Sequence, residues 1–134
     1  MASDNAPSSI QKVRVKRSDS AEITSDSVVV EEPLEIRIKK GEFEQQLGIT
    51  MRTPGADLQL AAGFLWGEGF LIDPSQLITV KVCGDRNLTP RQRANVVIAE
   101  VTNDAPDFSR QMDRRFTMNS ACGVWGSENI SDLH

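Results

Sequence analysis

The sequence has no tyrosine, and its single histidine, His134, is the last residue of the chain. That argues against a histidine-based catalytic triad and against a histidine-bearing structural zinc site. Cysteine is scarce as well. Cys83 and Cys122 stand far apart, with neither CxxC nor zinc-finger spacing, so in a reducing compartment both are expected as free thiols. No apolar run approaches the roughly eighteen residues of a membrane span, and Met1 to Gln11 holds no hydrophobic signal core. A cytoplasmic location follows as the default. Lys and Arg number 15 against 19 Asp and Glu, a net charge of −4, which disfavours nucleic acid and anionic membrane as partners. No phosphate-binding fingerprint is present either. Gly67-Glu68-Gly69 closes an expected helix, whereas such loops follow a strand and open a helix.

At 134 residues the chain fits one domain and can bury about two-thirds of its unfolded surface. The composition of residues 1 to about 11 predicts disorder. Val13 and Val15 then alternate with Arg14 and Lys16, which reads either as a short edge strand with a basic outer face or as a loose basic arm. Ser18 to Ser27 reads as a polar connector. Val28 to Val30, and then Leu34, Ile36 and Ile38 alternating with Glu35, Arg37 and Lys39, predict a half-buried strand with Pro33 at an edge or kink. Lys40-Gly41-Glu42 is a turn, and Phe43 to Met51 returns antiparallel.

Thr53-Pro54-Gly55 stops that strand, Asp57 is the expected N-cap, and Leu58 to Trp66 the helix. Apolar residues nearly encircle it, which predicts deep burial. Gly63 weakens it by about 1 kcal/mol relative to alanine and leaves room for another backbone. Asp73-Pro74 starts one short turn. Leu77 to Val82 and Asn95 to Val101 are expected strands that pair with each other. The fold class is α+β: a mostly antiparallel sheet with one buried helix. The expected divisions are a flexible or basic arm at 1–27, an α+β domain at 28–118, and a cysteine loop at 119–134.

That loop, Ser120-Ala121-Cys122-Gly123-Val124-Trp125-Gly126-Ser127, carries the best candidate for chemistry. Small neighbours leave the sulfur of Cys122 open to a large partner. An ordinary thiol, with a pKa of about 8.5, is only about 3% ionised at pH 7. A helix N-terminus capped by Ser127, or nearby Arg110, Arg114 and Arg115, would raise that fraction. The residues alone leave two readings open, a reactive thiol and a small core residue. Cys83, between Val82 and Gly84, reads as core. Glu68 is either an acid/base group or a solvated loop carboxylate, and Lys12 to Arg17 is either a solvated strand face or a contact for cofactor phosphates.

Glu31-Glu32-Pro33-Leu34-Glu35-Ile36-Arg37-Ile38, Thr50-Met51-Arg52-Thr53-Pro54-Gly55, Leu60-Ala61-Ala62-Gly63-Phe64-Leu65-Trp66-Gly67-Glu68-Gly69 and Phe116 to Val124 occur in this order. Together they resemble the FdhD/NarQ family of formate dehydrogenase accessory proteins, over roughly residues 28 to 133. The resemblance implies a cytoplasmic sulfurtransferase that accepts persulfide sulfur from a cysteine desulfurase. The sulfur then passes to the molybdenum cofactor, in its bis-molybdopterin guanine dinucleotide form, for the formate dehydrogenase apoprotein. Cys122 stands at the position of the persulfide-bearing residue, no metal is expected on this chain, and a homodimer is one expected assembly. Two departures stand out. Trp125 occupies the place where the family carries a second cysteine. The family also continues into a larger deaminase-like α/β domain that binds the cofactor, so the chain is expected to be a fragment, a truncation or a diverged relative. A non-catalytic docking module and a degenerate homologue are the alternative readings.

Overall fold

A computed structural model describes residues 7–108. Six strands and two helices follow one another in the order β1 (Ile10–Lys16), β2 (Ile23–Val29), β3 (Glu32–Lys40), β4 (Phe43–Arg52), α1 (Asp57–Gly67), β5 (Leu77–Val82), α2 (Pro90–Ala94) and β6 (Val96–Val101). β1 and β2 form an antiparallel ribbon of their own, and the other four strands make one sheet in the order β4-β3-β6-β5. Ser18 to Ser27 is not the polar connector expected throughout, because Ile23 to Ser27 belong to β2 and pair with Lys12 to Lys16. Alternation is poor in β2, so backbone pairing with β1 decides its conformation. The boundary drawn after residue 27 falls inside this strand.

β3 and β4 form the expected hairpin about Gly41, whose φ of 59° is open to glycine at little cost. Pro33 pairs with Met51 of β4 but lies before the stretch of β3 that meets β6, which begins at Glu35. Its missing N–H therefore falls where no second neighbour needs it. A bulge at Ile36/Arg37 leaves Leu47 as the extra residue of β4. That insertion switches the parity of the strand. Leu47 joins Leu34, Ile36 and Ile38 on one face, while Ile49 stays on the other.

β5 and β6 pair antiparallel, as expected, but β6 lies parallel to β3. The sheet is mixed, with its two central strands parallel. Its main face carries Leu34, Ile36, Ile38, Val97, Ala99 and Val101, covered by Ala61 and Leu65 of α1 and by Phe70, Leu71, Ala105 and Phe108. The opposite face holds a smaller cluster of Cys83, Val96 and Ile98 with Leu88 against it.

Two expectations about α1 are overturned. Asp57 is not its cap: Ala56 holds that position without a side-chain hydrogen bond, and Asp57 is the first helical residue. Nor is the helix buried all round. Leu58, Leu60 and Trp66 are 42%, 40% and 51% exposed, because only one side of α1 meets the sheet. Gly63 lies on the outer side, where an added Cβ would meet nothing within 4 Å. It admits no close backbone. Gly63→Ala is therefore expected to stabilise the protein by up to about 1 kcal/mol, read as a higher urea midpoint at unchanged slope.

Asp73-Pro74 does open a short turn, the 3-10 segment Pro74–Gln76, with Asp73 Oδ1 accepting from the Ser75 N–H at 2.8 Å. Thr89-Pro90 opens α2 by the same device. Thr89 Oγ1 accepts from the Gln92 N–H at 3.2 Å, and Gln92 Oε1 accepts from the Thr89 N–H at 2.9 Å.

Candidate functional site

Cys122 lies outside the described residues, as do Trp125, Arg110, Arg114, Arg115 and the rest of the cysteine loop. The described chain closes with residues 102–108. After β6 the chain makes a turn, Ala105 N–H donating to Thr102 O at 3.1 Å, and comes to rest on the hairpin end of the sheet. Lys40 Nζ donates to Ala105 O at 2.6 Å, and Gln76 Nε2 donates to Asp104 O at 3.3 Å. Phe108 is 5% exposed and stacks on Phe43, with ring centroids 5.7 Å apart. Phe108, the last described residue, is thus held beside the β3–β4 turn.

The other sequence candidates scatter. Cys83 is 6% exposed at the end of β5, its Sγ accepting from the Asp85 N–H at 3.4 Å and its side chain packed on Val96 and Ile98. It is core, as read. Glu68 follows α1 as its C-cap, its N–H donating to Phe64 O at 3.0 Å while its side chain stays exposed. Helix α1 covers the main face, so Glu68 and Cys83 belong to opposite sides of the sheet. The cations Lys12, Arg14 and Lys16 lie on the separate β1–β2 ribbon. No two of these candidates form a common site among the described residues.

The structure assembles instead two polar groups that the residue pattern did not announce. The first is an arginine node at the start of β3. Arg52, with a side chain only 3% exposed, places Nε 2.8 Å from Asp57 Oδ1 and Nη2 3.0 Å from Asp57 Oδ2, a two-pronged ion pair. The same Nη2 donates to Asn95 Oδ1 at 2.7 Å, and Nη1 reaches the carbonyls of Glu32 and Pro33 at 3.3 and 3.4 Å. Asn95 Nδ2 donates in turn to Glu32 Oε2, and Arg91 Nη2 to Glu32 Oε1, both at 2.8 Å. One guanidinium thereby ties together β3, the end of β4, the start of α1 and the end of α2. A charged residue closing a strand, five positions before an aspartate, was the available signal.

Burial works against the charge of Glu32. The hydrogen bonds from Asn95 and Arg91, with the positive charge of Arg91 and Arg52, outweigh it and hold the carboxyl below its ordinary 4.5. A depressed carboxylate contributes stability that is fully present above 4.5 and is lost as the pH falls through its lower, folded-state value. Urea midpoints measured below 4.5 should therefore fall more steeply for the parent than for Glu32→Gln. Parallel curves would place the acid sensitivity elsewhere.

The second group is on the sheet's minor face. Glu35, expected on a half-exposed strand face, is fully buried (0% exposed), and Arg37 Nε donates to its Oε1 at 2.6 Å. Burial opposes the Arg37 charge, but Glu35 and then Glu44, at 3.3 Å, keep the guanidinium above its ordinary range. Both groups do structural work: the Arg52 node satisfies buried polar atoms where four elements meet, and Arg37 pairs the buried Glu35 of β3 and reaches Glu44 of β4. Among the described residues no group of three His, Cys, Asp or Glu side chains is arranged to hold a metal ion, and no helix is long and apolar enough to cross a membrane.

The described residues define a class: a small α+β scaffold of mixed sheet and one principal helix. Residues 29–134 match the model of the FdhD/NarQ family, and the chain belongs to that family. It is similar to the sulfur carrier protein FdhD of Mycobacterium tuberculosis, at 32% identity over 123 residues covering 90% of this chain and 43% of the relative. The protein of that name from Anaeromyxobacter dehalogenans is 40% identical over 113 residues, covering 81% and 36%. The chain thus spans about two-fifths of the length of the curated relatives it matches. A solved chain described as a formate dehydrogenase accessory protein from Desulfotalea psychrophila aligns at a TM-score of 0.49 and 21% identity, over 69% of this chain and 36% of that one.

Proposed function

We propose that this chain is the amino-terminal part of a sulfur carrier for formate dehydrogenase, with Cys122 as the residue that carries the sulfur. The observation behind this reading is the extent of the family match. It runs over residues 29–134 and so takes in both the four-stranded sheet with its helices and the cysteine loop, and the relatives bear the name sulfur carrier protein. The chemistry suits a thiol in a loop of small residues. The Cys122 thiolate attacks the terminal sulfur of a persulfide on a cysteine desulfurase, the donor's S–S bond breaks, and the desulfurase cysteine leaves as thiolate. No external oxidant or reductant enters this exchange. A lowered thiol pKa increases the attacking fraction, and the arginines at 110, 114 and 115 would contribute to it.

The acceptor in this reading is the molybdenum cofactor, as its bis-guanine-dinucleotide form, on its way to apo-formate dehydrogenase in the cytoplasm. It would be held chiefly by the deaminase-like domain that the family resemblance implies. The scaffold's part is positional: Phe108 and the hydrogen bonds from Lys40 and Gln76 fix where the carrier segment begins. With Trp125 in place of a second cysteine, the persulfide cannot be resolved by a neighbouring thiol of the same loop.

Incubation of the full chain with a cysteine desulfurase and cysteine, followed by intact mass measurement, tests this directly. One sulfur atom should be added, removable by a thiol reductant, and it should be absent in Cys122→Ala while Cys83→Ala still acquires it. An adduct that persists in Cys122→Ala, or no adduct at all while desulfurase binding is retained, overturns the carrier reading. The latter result favours a docking module.

A further inference from the structure

The β1–β2 ribbon has a feature that sulfur carriage does not use. Its register sorts the side chains onto two faces. One holds Ile10, Lys12, Arg14 and Lys16, opposite Val29, Ser27, Ser25 and Ile23, with no carboxylate among them; the sole acidic strand residue, Asp26, pairs with Val13 and so lies on the other face. Val13 and Val15 on that second face are half-buried, while Lys12, Arg14 and Lys16 are all exposed and enter no ion pair with a described residue. In a chain of net charge −4, three cations thus stand in a row about 6.8 Å apart on one strand. β1 also has a free edge, since β2 is its only strand neighbour among the described residues. A two-stranded ribbon is marginal by itself and gains from a third strand.

We infer that the free edge of β1 receives an extended acidic segment of a partner protein, added as a third strand, with carboxylates at alternate positions facing Lys12, Arg14 and Lys16 and an apolar residue near Ile10. The period selects the occupant. A strand laid beside β1 repeats its side chains every second residue, so alternating carboxylates meet the three cations one for one. A helix, whose backbone groups are already paired internally, cannot add to the free edge of β1. Nucleic acid is disfavoured because residues 7 to 31 contain no aromatic side chain on which a base could stack.

The full chain is titrated into a fluorescently labelled peptide that alternates glutamate with threonine, and anisotropy is followed. Binding should weaken about tenfold or more in Lys12→Glu/Arg14→Glu. It should be lost when prolines interrupt the peptide at constant charge. Both substituted side chains are exposed, and an unchanged urea midpoint confirms that the variant folds. It should also still load sulfur on Cys122, so the outcome here is separable from that of the carrier reading. Three results overturn the inference: no binding of the glutamate peptide, equal binding of the proline-interrupted peptide, or equal binding of single-stranded oligothymidylate, which would mark a general anion strip.

Discussion

Arg52→Met is expected to cost about 3–5 kcal/mol of folding stability, the range for removing one partner of a buried ion pair. The size follows from what is left behind. Asp57 loses both of its charge-assisted bonds, Asn95 Oδ1 loses a donor at 2.7 Å, and the carbonyls of Glu32 and Pro33 lose theirs. An unmet buried acceptor costs about 1–3 kcal/mol by itself. Arg52→Lys should recover only part of the loss, because an ammonium cannot span both Asp57 oxygens and Asn95 together. Equilibrium urea unfolding checks the series. A loss under about 0.5 kcal/mol for Arg52→Met, the level of an ordinary surface change, would show that the node holds nothing together.

Phe108→Ala should cost about 3–5 kcal/mol, the usual figure for deleting a buried aromatic ring. Phe108 is 5% exposed and belongs to the main core, whereas its stacking partner Phe43 is 55% exposed. Phe43→Ala should therefore lose only the ring pair, about 0.5–1.5 kcal/mol, and Phe108→Leu should restore most of the deficit. The contrast separates anchoring from stacking. Hydrogen exchange at the Ala105 N–H, which donates to Thr102 O, should accelerate in Phe108→Ala even where the sheet stays protected. Under the proposed function such a protein still accepts sulfur on Cys122 but presents it from an unfixed root. If Phe43→Ala and Phe108→Ala prove equally costly, the anchor is the exposed stack and not the core.

These two residues show how unevenly the molecule can be read from its sequence. The Phe43 turn was legible, because Lys40-Gly41-Glu42 between alternating strands has few other conformations. The place of Phe108 was not, since it lies in a loop with no period. The Thr-Pro-x-Gln signature of α2 repeats the Asp-Pro-x-Gln of the turn at Asp73. The signal is present in the residues themselves. Asp57 looked like a cap because it precedes an apolar run, but Arg52 competes for its carboxylate and wins by burial.

By itself the sequence determined what depends on neighbours along the chain. β3 and β4 follow from alternation about a glycine turn, β5 and β6 from two apolar runs, the end of β4 from Thr53-Pro54-Gly55, and family membership from the order of its segments. Only the tertiary structure decided what depends on partners tens of residues away. The parallel pairing of β3 with β6 brings Glu35 beside Val96. The bulge at Leu47, the exposed side of α1 and the closure of the Arg52 node on Asn95 likewise depend on elements that no local pattern specifies. Local propensities act over a turn or a strand, whereas burial is shared by the whole core. An apolar helix such as α1 could turn any side inward until the sheet presented its face.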